Sequence, residues 1–157
     1  DDMLWPDMTW MFILAYDVWN FQYTYLNLPT HSWYCGVALL LAPTFAAAFW
    51  NKGGWIQNRA NTLALWCMFA QVFPLFQDQG KFAVIPRLYA DGFMDAATHP
   101  TAADPTAQGV ISVLSIVVNV VVFAAIIKRS MKLKKNPYKD EIWKGTKDYE
   151  EAMSRAE

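Results

Sequence analysis

The stretch AQGVISVLSIVVNVVVFAAII, residues 107–127, contains 21 residues and no charged side chain. A helix of about 20 predominantly apolar residues crosses the hydrocarbon core of a bilayer. The stretch therefore predicts a membrane-spanning helix. It is followed directly by KRSMKLKK, residues 128–135, the densest basic cluster in the chain. Clusters of this kind stay on the cytoplasmic side of a membrane.

The charge distribution extends this prediction to the rest of the chain. Hydrophobic residues make up 55% of the sequence, only four of its 13 Lys and Arg residues precede Lys128, and no Glu precedes Glu141. A soluble domain needs charge along its whole length to cover its surface. We therefore predict an all-α, polytopic transmembrane helical bundle over residues 1–127 and a basic, then mixed-charge, cytoplasmic tail over 128–157. The four predicted spans are about 8–26, 32–50, 63–79 and 107–127.

The basic residues also predict the orientation of the bundle. Four spans place both termini in the cytoplasm, together with the polar loop around Lys52 and Arg59, and leave the 80–106 connector outside. Tryptophans fall near the predicted span ends, where amphipathic rings favour the headgroup layer. We expect the basic cluster to contact anionic lipid headgroups. Its members are Lys128, Arg129, Lys132, Lys134 and Lys135.

Three predicted spans carry polar residues at helical spacing. The steps of three and four keep such side chains on one face of a helix. Lipid would leave these groups unsatisfied, so the stripes are expected to face one another inside the bundle. The stripes are Asp17, Asn20, Thr24 and Asn27 in the first span, Cys67, Gln71, Pro74 and Asp78 in the third, and Gln108, Ser112, Ser115 and Asn119 in the fourth.

Asp17 differs from the amide and hydroxyl residues of the stripes because it carries a charge, and from Asp78 because Asp78 lies nearer the predicted interface. A carboxylate near the bilayer centre costs about 3 kcal/mol even on lenient insertion scales, and such residues often mark ion or substrate pathways. Amides and hydroxyls, in contrast, commonly form hydrogen bonds that hold membrane helices together. Both interpretations stay open for the stripes. The candidate pathway residues are Asp17, Asn20, Tyr16, Tyr23, Gln71, Asp78 and Asn119.

Several site classes have no support in the sequence. His31 and His99 have no partners at metal-ligand spacing, so no metal site is predicted. No G-x-S-x-G, H-E-x-x-H or C-x-x-C motif is present, and we predict neither catalytic residues nor a cofactor. The basic run after the last span suits an anionic membrane surface better than nucleic acid.

Two stretches carry a resemblance to a known family. YDVWNFQYTYLNLPTHSWYCG, residues 16–36, and FWNKGGWIQNRANTLALWCMFAQVFPLFQDQ, residues 49–79, resemble an uncharacterised family of bacterial multi-pass integral membrane proteins. The similarity covers about residues 5–127. Members of that family are longer, so the resemblance implies that this chain corresponds to a later half. It implies no catalytic or binding residues.

Two functions follow as expectations. The first is transport or permeation of a small solute or ion past Asp17, since a carboxylate with neighbouring amides and tyrosines is how proton relays and substrate sites are built. The alternative is a non-catalytic accessory subunit of a membrane complex. In either case the expected partners are the lipid bilayer and either further copies of the chain or other membrane subunits. For the tail we expect a short solvated helix after Pro137 that the bundle does not need for folding.

Overall fold

The computed structural model of the chain describes residues 3–27, 33–73 and 105–155. These residues form helices and turns and contain no β-strand, which confirms the all-helical class. A π-helical turn, Tyr34–Ala38, leads into the second α-helix. The five α-helices are α1 Trp10–Asn27, α2 Leu39–Phe49, α3 Trp55–Val72, α4 Pro105–Leu133 and α5 Lys147–Met153.

The start of α3 and the end of α4 differ clearly from the predicted span boundaries. Helix α3 begins at Trp55, within the segment predicted to be a polar loop, because the turn after α2 is already closed at Gly54, whose N–H donates to the Asn51 carbonyl at 3.0 Å. Gly53 has a φ of +79°, a conformation that side chains disfavour. Helix α4 continues past the apolar stretch to Leu133, since Lys, Arg and Met are good helix formers.

The long helices pack in antiparallel pairs. Tyr25 and Leu26 at the end of α1 pack near Ile111 at the start of α4. At the opposite end, Met11 near the start of α1 and Ile126 near the end of α4 contact the same hydrophobic cluster. Helix α1 also packs against the π-helical turn, and α2 packs against α3. The arrangement places the N-terminal segment, the turn at residues 50–54 and the end of α4 at one end of the bundle.

Helix α4 leaves most of its surface uncovered. Among the described helices it alone is both long and apolar enough to cross a membrane, and only 11% of its most apolar window is buried in the protein. At about 1.5 Å per residue its 29 residues extend roughly 43 Å, longer than a hydrocarbon core of about 30 Å. The segment Tyr34–Phe49 is apolar but shorter. One possible membrane helix is therefore established, and a four-span bundle is not.

The C-terminal segment is packed against the bundle, so the prediction of a solvated tail is wrong. Ile142, Trp143 and Tyr149 are buried in one cluster, against Met11 and Phe12 of α1 and Ile126 of α4. Its helix, α5, begins at residue 147, well after Pro137. Sequence periodicity could not reveal this packing because the apolar residues of the segment are few and widely spaced among charged ones.

Close packing of α1 against the π-helical turn depends on Gly36. A Cβ atom added at Gly36 would lie 2.6 Å from Cβ and 2.7 Å from Cα of Tyr25. Atoms of different helices cannot approach so closely, and the α1 backbone cannot move away as a flexible side chain could. Small residues at helix contacts allow this kind of backbone approach in membrane proteins.

We therefore expect Gly36→Ala to destabilise the protein by about 1–3 kcal/mol, the usual penalty of overpacking. Gly109→Ala on α4 is the matched control, because its added Cβ would have no neighbour within 4 Å. Because alanine has a better helix propensity than glycine, Gly109→Ala should leave the stability of the protein unchanged or raise it by up to about 1 kcal/mol. Thermal unfolding of both variants in detergent would measure the difference. Equal effects would contradict the close approach at Gly36.

Candidate functional site

A chain of hydrogen bonds links three helices at Asp17. The hydroxyl Oγ1 of Thr44 on α2 donates to Oδ2 of Asp17 on α1, at 2.7 Å. The same hydroxyl accepts a hydrogen bond from Nε1 of Trp55 on α3, at 3.0 Å. Trp55 is 1% exposed, so its indole N–H needs a partner inside the protein. Asp17 is therefore held at a junction of α1, α2 and α3.

A positive charge lies near this junction because of Pro43. Proline has no backbone N–H, so the carbonyl of Leu39, four residues earlier in α2, loses its helical donor. Nη1 of Arg59 on α3 donates to that carbonyl at 3.0 Å. A neighbouring helix therefore satisfies the carbonyl that Pro43 leaves free. The guanidinium is also close enough to Asp17 to interact with its carboxylate electrostatically.

Aromatic rings enclose one side of the Asp17 junction. Tyr16 packs edge-on against Trp55, with ring centroids 4.8 Å apart, and against Trp19 at 5.5 Å. Nδ2 of Asn20 lies 3.4 Å from the hydroxyl of Tyr16. Asn20 is buried and also accepts from Thr24 Oγ1, at 3.2 Å. Two predicted pathway residues, Tyr16 and Asn20, thus lie beside Asp17, but their described bonds stay within α1.

Asp17 contributes to the walls of two cavities. The first has a volume of about 170 Å³ and extends to the end of the bundle, where Lys52, Gly53 and Asp148 line it. The second, of about 360 Å³, lies between α1, α2 and the first turns of α4 and has mainly apolar walls, including Phe21 and Ile111. A small-molecule site usually has a volume of about 300–1,000 Å³. Asp17 is part of the wall of both cavities.

Two buried oxygen atoms near the first cavity have no hydrogen-bond partner among the described residues. They are Oδ1 of Asp17 and Oγ1 of Thr9, and both residues line that cavity. A buried unpaired acceptor is unfavourable by about 1–3 kcal/mol, and more for a charged group. Uptake of a proton, a cation or a water molecule from the cavity would relieve this penalty. Binding of one of these species beside Asp17 would therefore be favourable on chemical grounds.

Two other predicted pathway residues lie elsewhere. Tyr23 is 56% exposed and stacks on Trp19 at the outer surface of α1. Tyr23 lies six positions after Asp17, and at about 100° per residue the two side chains point about 120° apart around the helix axis. Asn119 is exposed, and its Nδ2 donates to the carbonyl of Ser115 in its own helix at 2.8 Å. Neither residue lines the described cavities, so the structure does not bring Tyr23 or Asn119 to the Asp17 site.

The predicted stripe of the third span is not the inner face of α3. Cys67 is exposed, whereas the contacts with α2 and its π-helical turn come from Trp55, Arg59 and Trp66. These three residues are spaced by four and seven, so they also share a helix face. Asp78 and the side chain of Gln71 lie outside the described residues.

Charged residues are concentrated at the end of the bundle that the first cavity reaches. Nζ of Lys52 lies 3.0 Å from Asp148 and 3.3 Å from Glu151 of α5. The hydrogen bond to Asp148 raises the pKa of Lys52. A hydrogen bond to Glu141 raises the pKa of Tyr149 to about 12. Both groups favour the folded state while protonated, so their contributions are complete below about pH 10 and decline as the pH rises further.

The basic cluster after residue 127 divides into exposed lysines and an arginine that contacts the C-terminal segment. Lys128, Lys132, Lys134 and Lys135 are exposed at the end of α4. Arg129 instead faces the tail, where its Nε donates to the carbonyl of Ile142 at 2.5 Å and its guanidinium lies 4.9 Å from the ring centroid of Trp143. Headgroup binding stays a prediction for the lysines, whereas Arg129 is engaged in holding the tail.

No group of three or more His, Cys, Asp or Glu residues in the described part of the chain is arranged to hold a metal ion.

The chain belongs to a family of unknown function, DUF5692, whose model matches residues 1–155. Membership agrees with the resemblance to an uncharacterised family. Comparisons with curated proteins and with solved structures found no match. The family description supplies no activity, so function has to be argued from the site.

Proposed function

We propose that the protein is a multi-pass membrane protein that lets a proton or another small ion or solute pass by way of Asp17. The observation that carries the proposal is the position of this carboxyl group. It is held by Thr44, has one buried oxygen without a described partner, and belongs to the walls of both cavities. A merely structural carboxylate would gain most from having both oxygens paired.

The surface of the protein supports the membrane environment. The core helix of a soluble protein is mostly buried, whereas α4 is mostly exposed and apolar. Large exposed side chains continue around the other helices, among them Phe45, Phe49, Leu65 and Phe69. Monomeric soluble proteins rarely expose a contiguous apolar surface of this kind. Trp5, Trp10 and Trp50 are exposed at the end of the bundle that carries Lys52, as an aromatic belt at one interface would require.

The depth of Asp17 suits ion exchange. It lies seven residues after the start of α1, which corresponds to roughly 10 Å along the helix axis. In a hydrocarbon core of about 30 Å, this is about one third of the way from the charged end. The first cavity covers that distance from Lys52 to Asp17. An ion or proton thus has a short route from the water phase to the carboxyl group.

One observation favours the alternative of an accessory subunit in a membrane complex. Helix α4 contacts α1 along one side and leaves Val110, Val113, Val117 and Val120 exposed at helical spacing. Either lipid or a helix of another subunit could cover this apolar face. Purification of the native protein would separate the two proposals. An accessory subunit would be recovered with a different protein in a constant ratio, whereas a transporter would be recovered alone or as an oligomer of identical chains.

The topology gives a direct test of the membrane part of the proposal. We expect a cysteine at position 50 or 139 to react with an impermeant thiol reagent from the cytoplasmic side, and a cysteine at position 95 from the other side. Positions 50 and 139 are both exposed at one end of the bundle, whereas the neighbouring Trp55 is buried and unsuitable. The native Cys35 and Cys67 would first be replaced by alanine. Labelling of positions 95 and 139 from the same side would defeat the four-span arrangement.

The activity itself is tested by flux measurements on the purified protein in liposomes. A pH-sensitive dye inside the liposomes reports proton flux, and radiolabelled sodium or potassium reports cation flux. We expect flux in at least one of these assays that exceeds that of empty liposomes. If no flux above that of empty liposomes appears under any gradient, the transport proposal fails.

A further inference from the structure

We propose that the C-terminal segment, residues 140–155, is a movable cap that closes the route from the water phase to Asp17. The inference rests on the proposed function, since a cap matters only where Asp17 exchanges ions. The segment is placed to do this because it forms part of the cavity itself. Asp148 of α5 lines the first cavity together with Lys52 and Gly53, and Asp17 lines its inner part.

The cap is fixed on one side by the 50–54 turn. Lys52 bridges Asp148 and Glu151, and all three side chains keep roughly a third of their surface exposed. Beside it, a Cβ atom added to Gly53 would lie 2.7 Å from Cβ of Ala152 and 2.8 Å from Cδ1 of Leu4. The turn, the N-terminal segment and α5 therefore meet over the cavity. The ion pairs are the polar part of this contact.

On the other side the cap has a hinge-like attachment. Arg129 holds the Ile142 carbonyl and the Trp143 ring, and Trp143 belongs to the buried cluster on α1 and α4. Between this anchor and α5, Gly145 has a φ of +83° and no neighbour within 4 Å of an added Cβ. Opening moves residues 146–155 away from Lys52 about Gly145 while Trp143 stays in place, and it exposes Tyr149 and Ala152, which are buried in the closed state. Exposed ion pairs are weak enough to break reversibly.

Access to the cavity can be measured with a cysteine in its wall. Ala47 lines the first cavity and is 3% exposed, so Ala47→Cys, in a chain with Cys35 and Cys67 replaced by alanine, should react slowly with an impermeant thiol reagent. Lys52→Met should raise the labelling rate by about threefold to tenfold, because it removes two weak ion pairs that favour the closed state. Higher salt should accelerate labelling in the parent chain and have little effect in Lys52→Met.

Matched variants separate the cap from a general loosening of the protein. Lys144→Met removes an exposed lysine of the same segment that forms no ion pair with the described residues, and should leave the rate unchanged. Asp148→Asn should act in the same direction as Lys52→Met, and the double variant should label more slowly than independent effects would predict. An unchanged rate in Lys52→Met, or equal acceleration by Lys144→Met, would overturn the cap. Labelling requires no transport, so absent flux with the expected labelling pattern would sink the proposed function alone.

Discussion

Asp17→Asn is expected to reduce proton or cation flux to the level of empty liposomes while the protein stays folded. The amide cannot release or accept a proton in the working pH range. It is also neutral, so it cannot attract a cation as the carboxylate does. Its oxygen can still accept the hydrogen bond from Thr44, so the free energy of unfolding should change by no more than about 1 kcal/mol. The measurements are flux in liposomes and thermal unfolding in detergent, both on purified Asp17→Asn.

The control for this prediction is Asn119→Ala. Asn119 is also polar and belongs to a predicted stripe, but it is exposed and bonds only its own helix among the described contacts. Flux should therefore persist in the control. Asp17→Leu should instead destabilise the protein, because it leaves the Thr44 hydroxyl without its acceptor. Undiminished flux in Asp17→Asn together with a large loss of stability would show that the carboxylate is structural, and transport through it would then be excluded.

The prominence of Asp17 and the role of Pro43 could be predicted from the sequence. A carboxylate in an apolar aromatic run stands out on composition, and a proline inside a helix always frees a carbonyl. The sequence could not identify Arg59 as the donor to that carbonyl. Its position within α3 depended on the helix starting at Trp55, eight residues earlier than the predicted span.

The partners of Asp17 were missed for a different reason. Polar residues at helical spacing were expected to pair across helices, yet Asn20, Thr24 and Asn119 form their described bonds within their own helices. Ser, Thr and Asn can bond a carbonyl one turn back, so a stripe does not by itself need another stripe. The one signal for the actual site was Trp55, whose indole N–H must be satisfied wherever the ring is buried.

The second large effect is expected at Trp143. Trp143→Ala should lower the free energy of unfolding by about 3–5 kcal/mol, the range for removal of a buried tryptophan. The ring is 8% exposed, packs with Ile142 and Tyr149, and faces the guanidinium of Arg129. Loss of the cation–π contact would add about 0.5–1 kcal/mol. Thermal or denaturant unfolding in detergent, followed by near-ultraviolet circular dichroism, would measure the change.

Tyr138→Ala provides the matched control, because Tyr138 lies in the same segment and is 93% exposed. Its removal should change stability by no more than about 0.5 kcal/mol. Truncation after Asn136 removes the whole cluster and should destabilise the bundle at least as much as Trp143→Ala, which reverses the expectation drawn from composition alone. Equal stability of Trp143→Ala and Tyr138→Ala would show that the segment does not pack on α1 and α4. The cap would then have no anchor, because its movement over the cavity requires Trp143 to stay bound while α5 moves.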